Sequence, residues 1–412
     1  MAKKDPKVSQ HNVGLKLAKE LRKEIFDFLQ YNAVSVVMDE TEFWYSSVSD
    51  TVDRIFKSSI RVSNEVMKPL YDMLILAKER LGFKEPIDLY VVNNEAINAC
   101  AVFSFDPKTP HLIQIFSGMI NTLTDEEILS ILGHEIGHLM GKDAEIDRLM
   151  DFIYGDSLDK NVPRFLRKKL QMLSQLNEIR CDRCGCIASG TLEPNITSQF
   201  TQMCGVNHDR FGGGVQGILS RCSSNIEMIK DGRVQLHNSS HPDDPIRVRA
   251  MEIFCKNNDK KQMEKEMEEI VDLVQLWHKD NMDKHYADFI VSAGLMVANV
   301  DGKITEEEIS AIINDMIEYK MFPVKEFKKI AKKDIQKVFH KSVAAILENC
   351  PFEKDNLMKY VLRMMVADHH IKESELRFAY RLSKDVFEMS KDEFSSCYAE
   401  VIQEFFHPRY VL

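Results

Sequence analysis

No stretch of this chain is apolar for long enough to cross a bilayer. The longest candidates, near Leu112–Leu123 and Phe289–Val300, fall short of the roughly 18 apolar residues a spanning helix needs, so no membrane-spanning segment is expected. The start, Met1-Ala2-Lys3-Lys4-Asp5-Pro6-Lys7, has basic residues with no apolar segment behind them and does not read as a secretory signal. A positive surplus is missing as well. The 54 Lys and Arg are outnumbered by 64 Asp and Glu, and the formal net charge of −10 argues against nucleic acid as the main partner, because phosphates are neutralised by basic side chains. No block of like charge is long enough for a tail. A disulfide framework is lacking too: the nine cysteines are odd in number and irregular in spacing. Gly212-Gly213-Gly214 has no Lys-Ser/Thr after it and makes no phosphate cradle. These absences leave a cytoplasmic globular protein as the expectation.

Apolar residues make up 44% and charged residues 29% of the 412, ordinary globular proportions at a length that predicts two or three domains. Leu17, Leu21, Ile25, Phe28 and Leu29 recur at helical spacing, and a second helix is predicted from about Asn64 to Leu81, stopping at Gly82. Pro69 either kinks that helix or marks its start. Ile87–Val92, Asn98–Phe105 and His111–Phe116 read as strands, with Pro107 and Pro110 marking a turn. The fold class is mainly α with a small β-sheet (α+β).

The chain is organised around one pentapeptide, His134-Glu135-Ile136-Gly137-His138. Histidines four apart share a helix face and can grip one metal ion. Glu135 is placed to take a proton from water on the metal's open side. Thr124 and Glu127 form a capping box before the run Ile128, Leu129, Ile131, Leu132, Ile136, Leu139, so a helix is predicted, with Gly141 placed to end it. Gly133 and Gly137 lie inside it, each costing roughly 1 kcal/mol against alanine. Their presence implies the close approach of another backbone or of a substrate strand.

A catalytic zinc takes three protein ligands and leaves one position for water. The third is best supplied by Glu178, in Leu176-Asn177-Glu178-Ile179-Arg180-Cys181-Asp182, far enough beyond His138 for a return loop and a second helix. Asp182, one turn further on, is placed to accept a hydrogen bond from a ligand histidine's second nitrogen. Cys181-x-x-Cys184-x-Cys186 has no second pair nearby to complete four ligands, so these read as structural thiols. His241 precedes a proline and is held extended, ahead of a helix that Pro245 begins and Asp243 or Asp244 can cap. His241 and Arg247 are either ordinary loop and helix residues, or groups that reach the metal and steady negative charge on the substrate oxygen.

Taken in order, His134-Glu135-x-x-His138, Glu178-x-x-x-Asp182 and His241-Pro242 with Arg247 resemble the HtpX-like and CAAX prenyl endopeptidase group of zinc metallopeptidases (metallopeptidase family forty-eight). Asn98-Ala99 and the Ser117-Gly118-Met119 turn also match that group's pattern. The resemblance spans about residues 65–255. It implies a gluzincin-type fold, one zinc ion per chain held by His134, His138 and Glu178, Glu135 as catalytic base, and hydrolysis of peptide bonds in a protein or peptide substrate. It places His241 near the metal, aiding the transition state or closing the site as an extra ligand. Arg247 is expected to bear on the oxyanion with it. Asn98, Ala99 and Gln114, the last on the His111–Phe116 strand, are expected to align the substrate backbone. Two departures stand out: many members of the group carry membrane helices, and Cys181 occupies a position where a small residue such as alanine is common there.

The C-terminal part contains an internal echo. Asp301-Gly302-Lys303-Ile304 with Glu308 recurs as Asp368-His369-His370-Ile371 with Glu375, each after an apolar helix. The twelve-residue ligand pattern of a calcium EF-hand is missing, and adjacent histidines diverge, so His369-His370 reads as a surface turn. The echo resembles the TerB-like helical domain of tellurite-resistance proteins, which implies a helical regulatory or docking module, with a protein partner as its expected contact. The expected layout is a helical segment over 1–63, the zinc metallopeptidase domain over 64–256, a helical linker over 257–284 anchored by Trp277, and the TerB-like domain over 285–412. The expected activity is a zinc metalloendopeptidase in protein quality control or regulated proteolysis. The alternative is a non-hydrolytic zinc-containing adaptor, chaperone-like, acting through its C-terminal helices. A zinc amidase with a closed pocket is a third possibility.

Overall fold

In a computed structural model of the chain, the described residues are 13–45, 55, 57–155, 162–207, 210, 213–231, 233–234, 240–257, 259–276, 281–300, 302, 304–366 and 371–405. Trp277, Gly212, Asp301, Lys303 and the Asp368-His369-His370 turn lie outside them. The chain divides into two compact units, Met1–His278 and Lys279–Leu412. Both are mainly helical, and the first carries one four-stranded sheet. Among the described residues no helix is long and apolar enough to cross a membrane.

The first unit begins with a helical hairpin, α1 (Lys16–Phe28) and α2 (Tyr31–Glu40). Gln30 turns the chain between them with a left-handed φ of 53°. After β1 (Ser59–Arg61) comes α3 (Lys68–Leu81). Pro69 sits in its first turn, where a missing N–H costs nothing, so the proline marks a start and not a kink. Gly82 ends α3 at φ 68°.

The sheet is completed by β2 (Ile87–Val92), β3 (Ala99–Val102) and β4 (His111–Phe116), in the order β1-β2-β4-β3. β2 and β4 are parallel, whereas β3 runs antiparallel to β4. This order corrects one expectation. Gln114 on β4 pairs with Tyr90 on one side and Cys100 on the other, so that strand's backbone groups are already used and cannot align a substrate. β1 and β3 are the two edge strands, and β3 begins at Ala99 just after Asn98.

The helices that follow are α4 (Ser117–Thr122), α5 (Asp125–Gly141), α6 (Ala144–Tyr154), α7 (Arg164–Ser189), α8 (Glu193–Cys204), α9 (Gly214–Lys230), α10 (Asp244–Lys256) and α11 (Lys260–Leu276). α5 opens with the capping box: Thr124 Oγ1 accepts from the Glu127 N–H, and Glu127 Oε2 accepts from the Thr124 N–H. Ile128, Leu132, Ile136 and Leu139 bury one face in a core with Leu74, Leu89, Ile113 and Ile115. The other face carries the glycines, and what approaches them is a backbone, that of α7. A Cβ at Gly133 would lie 2.3 Å from Ala188 Cβ and 2.8 Å from the Cys184 carbonyl oxygen. One at Gly137 would lie 2.9 Å from Cys181 Cα. Gly185 returns the favour from α7, where a Cβ would meet the Ser130 carbonyl oxygen at 2.9 Å.

Gly133→Ala therefore sets a propensity gain of about 1 kcal/mol against overpacking of about 1–3 kcal/mol. Because a carbonyl oxygen cannot swing aside as a side chain does, the clash wins. The urea midpoint of the first unit is expected to fall, and a rise in that midpoint would show that the helices can separate freely. Gly141 has a different task from the one expected. Lys142, not Gly141, takes the left-handed C-cap conformation at φ 50°. A Cβ at Gly141 would meet the Arg180 guanidinium at 1.6 Å, so the glycine is the seat of that side chain.

The second unit contains α12 (Asn281–Ala298), α13 (Glu306–Met316), α14 (Pro323–Ile330), α15 (Ile335–Asn349), α16 (Lys354–Met365), α17 (Glu373–Asp385) and α18 (Lys391–Phe405). They enclose one core that includes Phe289, Ile312, Phe339, Met358 and Leu362. The sequence echo has a physical counterpart. α13 and α17 each follow an apolar helix, and each has a buried glutamate, Glu308 and Glu375, that bonds back to the cap-position N–H of Thr305 and Lys372.

Candidate metal centre

α5 and α7 supply the centre because their glycine contact brings the two backbones together. His134 Nε2 and His138 Nε2 are 3.2 Å apart. Glu178, one turn before Cys181 on α7, places Oε2 3.4 Å from His134 Nε2 and Oε1 3.5 Å from His138 Nε2. Ligands at about 2.0–2.1 Å from a tetrahedral ion are separated by about 3.4 Å, so the three donors form one face of such a site. Glu178 Oε2 is buried with no hydrogen-bond partner. A buried carboxylate oxygen left unmatched beside two ring nitrogens is what a cation would satisfy. On these grounds the residues fit a zinc ion.

The second ring nitrogens are held by carboxylates. His134 Nδ1 lies 3.0 Å from Asp182 Oδ1, and His138 Nδ1 lies 2.9 Å from Asp143 Oδ2. With both Nδ1 positions donating, both Nε2 lone pairs face the same point. Each aspartate is backed by an arginine. Arg247 donates from Nε to Asp182 Oδ2 at 2.9 Å and from Nη2 to Asp182 Oδ1 at 2.6 Å. Arg180 donates from Nη2 to Asp143 Oδ2 at 2.5 Å.

The electrostatics agree. Burial works against a charged His134, but the neighbouring carboxylates of Asp182 and Glu178 outweigh it and push its pKa up to about 10. For Glu178 burial opposes charge, while His134, Arg247 and His138 outweigh it and hold the carboxyl below the usual range. The centre thus attracts positive charge, as a proton or as a metal that takes the proton's place.

The side chains singled out from the sequence fall as follows. His134, Glu135, His138, Glu178, Asp182, His241, Arg247, Asn98 and Ala99 all line one cavity of about 320 Å³, and Gln114 does not. Glu135 is 7% exposed. His241 Nε2 stands 3.5 Å from Glu178 Oε1, with Nδ1 2.9 Å from Ser240 Oγ, and is exposed. Arg247 requires a correction. Its Nε and Nη2 are committed to Asp182, and its 3.6 Å approach to the site is to the Glu178 carboxylate. Its contacts are thus with the carboxylates of Asp182 and Glu178, which it holds in place.

Cys181 lies close enough that His134, His138 and its Sγ can also be grouped, their donor atoms within 4.8 Å of one another. The Glu178 oxygens lie 3.4 and 3.5 Å from the two Nε2 atoms, and Glu178 is held ionised. Cys181 is fully buried, and burial pushes its thiol well up. The carboxylate is therefore the better third donor. Asp143 and Arg180 were not picked out from the sequence. The available signals were an acid soon after His138 and a third glycine in the same helix, Gly141.

Two histidines one turn apart, a carboxylate from the facing helix and a buried glutamate beside them define the site of a candidate metal-dependent hydrolase. Comparison with known proteins agrees at that level. Residues 67–155 match the model of Peptidase family M48. The match takes in His134, Glu135, His138 and Asp143 and stops before Glu178. Protease HtpX of Legionella pneumophila (strain Philadelphia 1) is 29% identical over 119 residues, 29% of this chain and 40% of that protein. The same protein of strain Corby gives the same figures of 29% and 40%. Plastoglobule-localized metallopeptidase 48 of Arabidopsis thaliana, a chloroplast protein, is 33% identical over 82 residues, 20% of this chain and 23% of that protein. The matched stretch thus spans less than half the length of these relatives. No solved structure matches the chain.

Proposed function

We propose that the first unit is a zinc-dependent metalloendopeptidase hydrolysing peptide bonds of protein or peptide substrates. The observation that carries this is the triangle of His134, His138 and Glu178 donors, 3.2–3.5 Å apart, beside the buried Glu135. The relatives' names, a protease and a metallopeptidase, point the same way. When bound, zinc supplies Lewis acidity, lowering the pKa of water toward neutrality and polarising the scissile carbonyl.

The chain's own side chains do the rest. Glu135 takes the proton of the attacking water and passes it to the leaving amine nitrogen. Asp182 and Asp143 keep both imidazoles turned with Nε2 inward. The free edge of β3, with Asn98 and Ala99, accepts an extended substrate backbone as an added strand. His241, exposed on the loop before α10, is assigned to the negative charge that develops on the substrate oxygen. The second unit is assigned to docking a protein partner in the manner of a TerB-like domain, and the setting to cytoplasmic quality control or regulated proteolysis. Casein or a denatured protein, incubated with the chain with and without a chelator, tests the activity. Cleavage should stop on chelation and return with zinc; cleavage indifferent to the chelator contradicts it.

A further inference from the structure

The two ligand histidines are braced by different means. Behind His134, Asp182 is gripped by two nitrogens of the buried Arg247. Behind His138, Asp143 has one contact from Arg180, and its Oδ1 is buried without a hydrogen-bond partner. Asp143 also sits in the short link between α5 and α6, next to Lys142. A non-glycine residue in the left-handed region, as Lys142 is at φ 50°, is strained and persists only where its surroundings hold it.

The hairpin of α1 and α2 supplies that hold. Arg22 Nη2 donates to the Lys142 carbonyl oxygen at 3.2 Å and also to Glu145 Oε2. The Tyr31 hydroxyl donates to Glu145 Oε1. The two side chains are themselves locked. The Arg22 guanidinium lies 4.8 Å over the Phe26 ring, and Phe26 stacks on Tyr31 at 4.3 Å with 7° between the planes. The link is thus held one residue before Asp143 and two residues after it. Burial, then the bond to Glu145, pushes the Tyr31 phenol up to about 12, so it stays a donor through the neutral range.

We propose that Arg22 and Tyr31 are positioning residues for the metal centre: by holding Lys142 and Glu145 they set Asp143, and through Asp143 the Nε2 of His138. The proposal rests on the metal-centre reading above. It gives the N-terminal hairpin a part in metal binding, although no residue of 16–40 is among the described residues lining the cavity.

The test is zinc affinity of the full chain, by competition with a chromophoric chelator, together with the visible spectrum of the cobalt(II)-substituted protein. Arg22→Ala is expected to weaken zinc binding about tenfold or more, as loss of an outer-shell partner does, and to change the cobalt bands. Tyr31→Phe should act in the same direction, and Arg22→Lys, which keeps the charge and loses the planar group over Phe26, should fall between wild type and Arg22→Ala. The control is Glu24→Ala. It cuts the Lys169 ion pair of the same helix without touching the link, and should lower the melting temperature while leaving zinc affinity and cobalt spectrum unchanged. Equal loss of affinity in Arg22→Ala and Glu24→Ala overturns the proposal. So does unchanged affinity in both Arg22→Ala and Tyr31→Phe. Should Arg22→Ala not fold, Tyr31→Phe and Arg22→Lys carry the comparison. A wild type that holds no zinc removes the metal-centre reading and this proposal with it. A zinc-loaded wild type with indifferent variants removes the positioning role alone.

Discussion

Glu135→Gln is expected to lower the rate of peptide cleavage by about 10²–10⁴-fold, the usual contribution of a general base, and to leave the zinc content unchanged. The reason lies in where Glu135 stands. It is on the ligand helix, buried and lining the cavity, yet the donor triangle is closed by His134, His138 and Glu178 without it. Glutamine has the same size and can still accept a hydrogen bond from water, but it cannot take a proton. Rate on a denatured protein substrate and metal content by atomic absorption should therefore part company. A variant that cleaves at the wild-type rate contradicts the assignment of Glu135, and one that also loses zinc makes it a ligand.

Arg247→Met is expected to cost about 3–5 kcal/mol, because it strands the Asp182 carboxylate as an uncompensated buried charge. Arg247 and Asp182 are 8% and 5% exposed, so water cannot replace the lost partner. Zinc retention should fall with stability, since Asp182 holds His134. Had Arg247 served a substrate oxygen, the same variant would fold normally and lose mainly kcat. A companion variant separates the two. Arg247→Met combined with Asp182→Leu removes both charges, and buried pairs replaced by apolar residues often recover stability. Chemical denaturation should show that recovery while zinc affinity stays low, because His134 remains unbraced. If the single variant melts like wild type, the buried pair is not what holds α7 to α10.

Much of the site was legible because its chemistry is local. His134 and His138 share a helix face by spacing alone, Glu178 and Asp182 repeat that spacing, and the Thr124–Glu127 capping box announces the helix. Pro69 and Gly82 likewise mark both ends of α3. What was not legible depends on which elements become neighbours. Gln114 reads as a good strand residue, and only the sheet order shows that its strand is paired on both sides. Arg247 has the same sequence signature whether it faces a substrate or a carboxylate in the core. Asp143 and Arg180 lie on different elements and gain meaning only when Gly141 lets the guanidinium cross over it. Gly133 and Gly137 signalled a close approach, and the identity of the approaching backbone waited on the packing of α7.

That packing has a consequence for how such a chain can vary. Spacing between the His134, His138 and Glu178 side chains is dictated by the seam where two helices touch, not by the segment that joins α6 to α7. Lengthening that connection should leave the arrangement of these three side chains intact, whereas one added methyl at position 137 would not. Changes at 133, 137 and 185 should therefore be tolerated only in combination, each enlargement on one side matched by a reduction on the other.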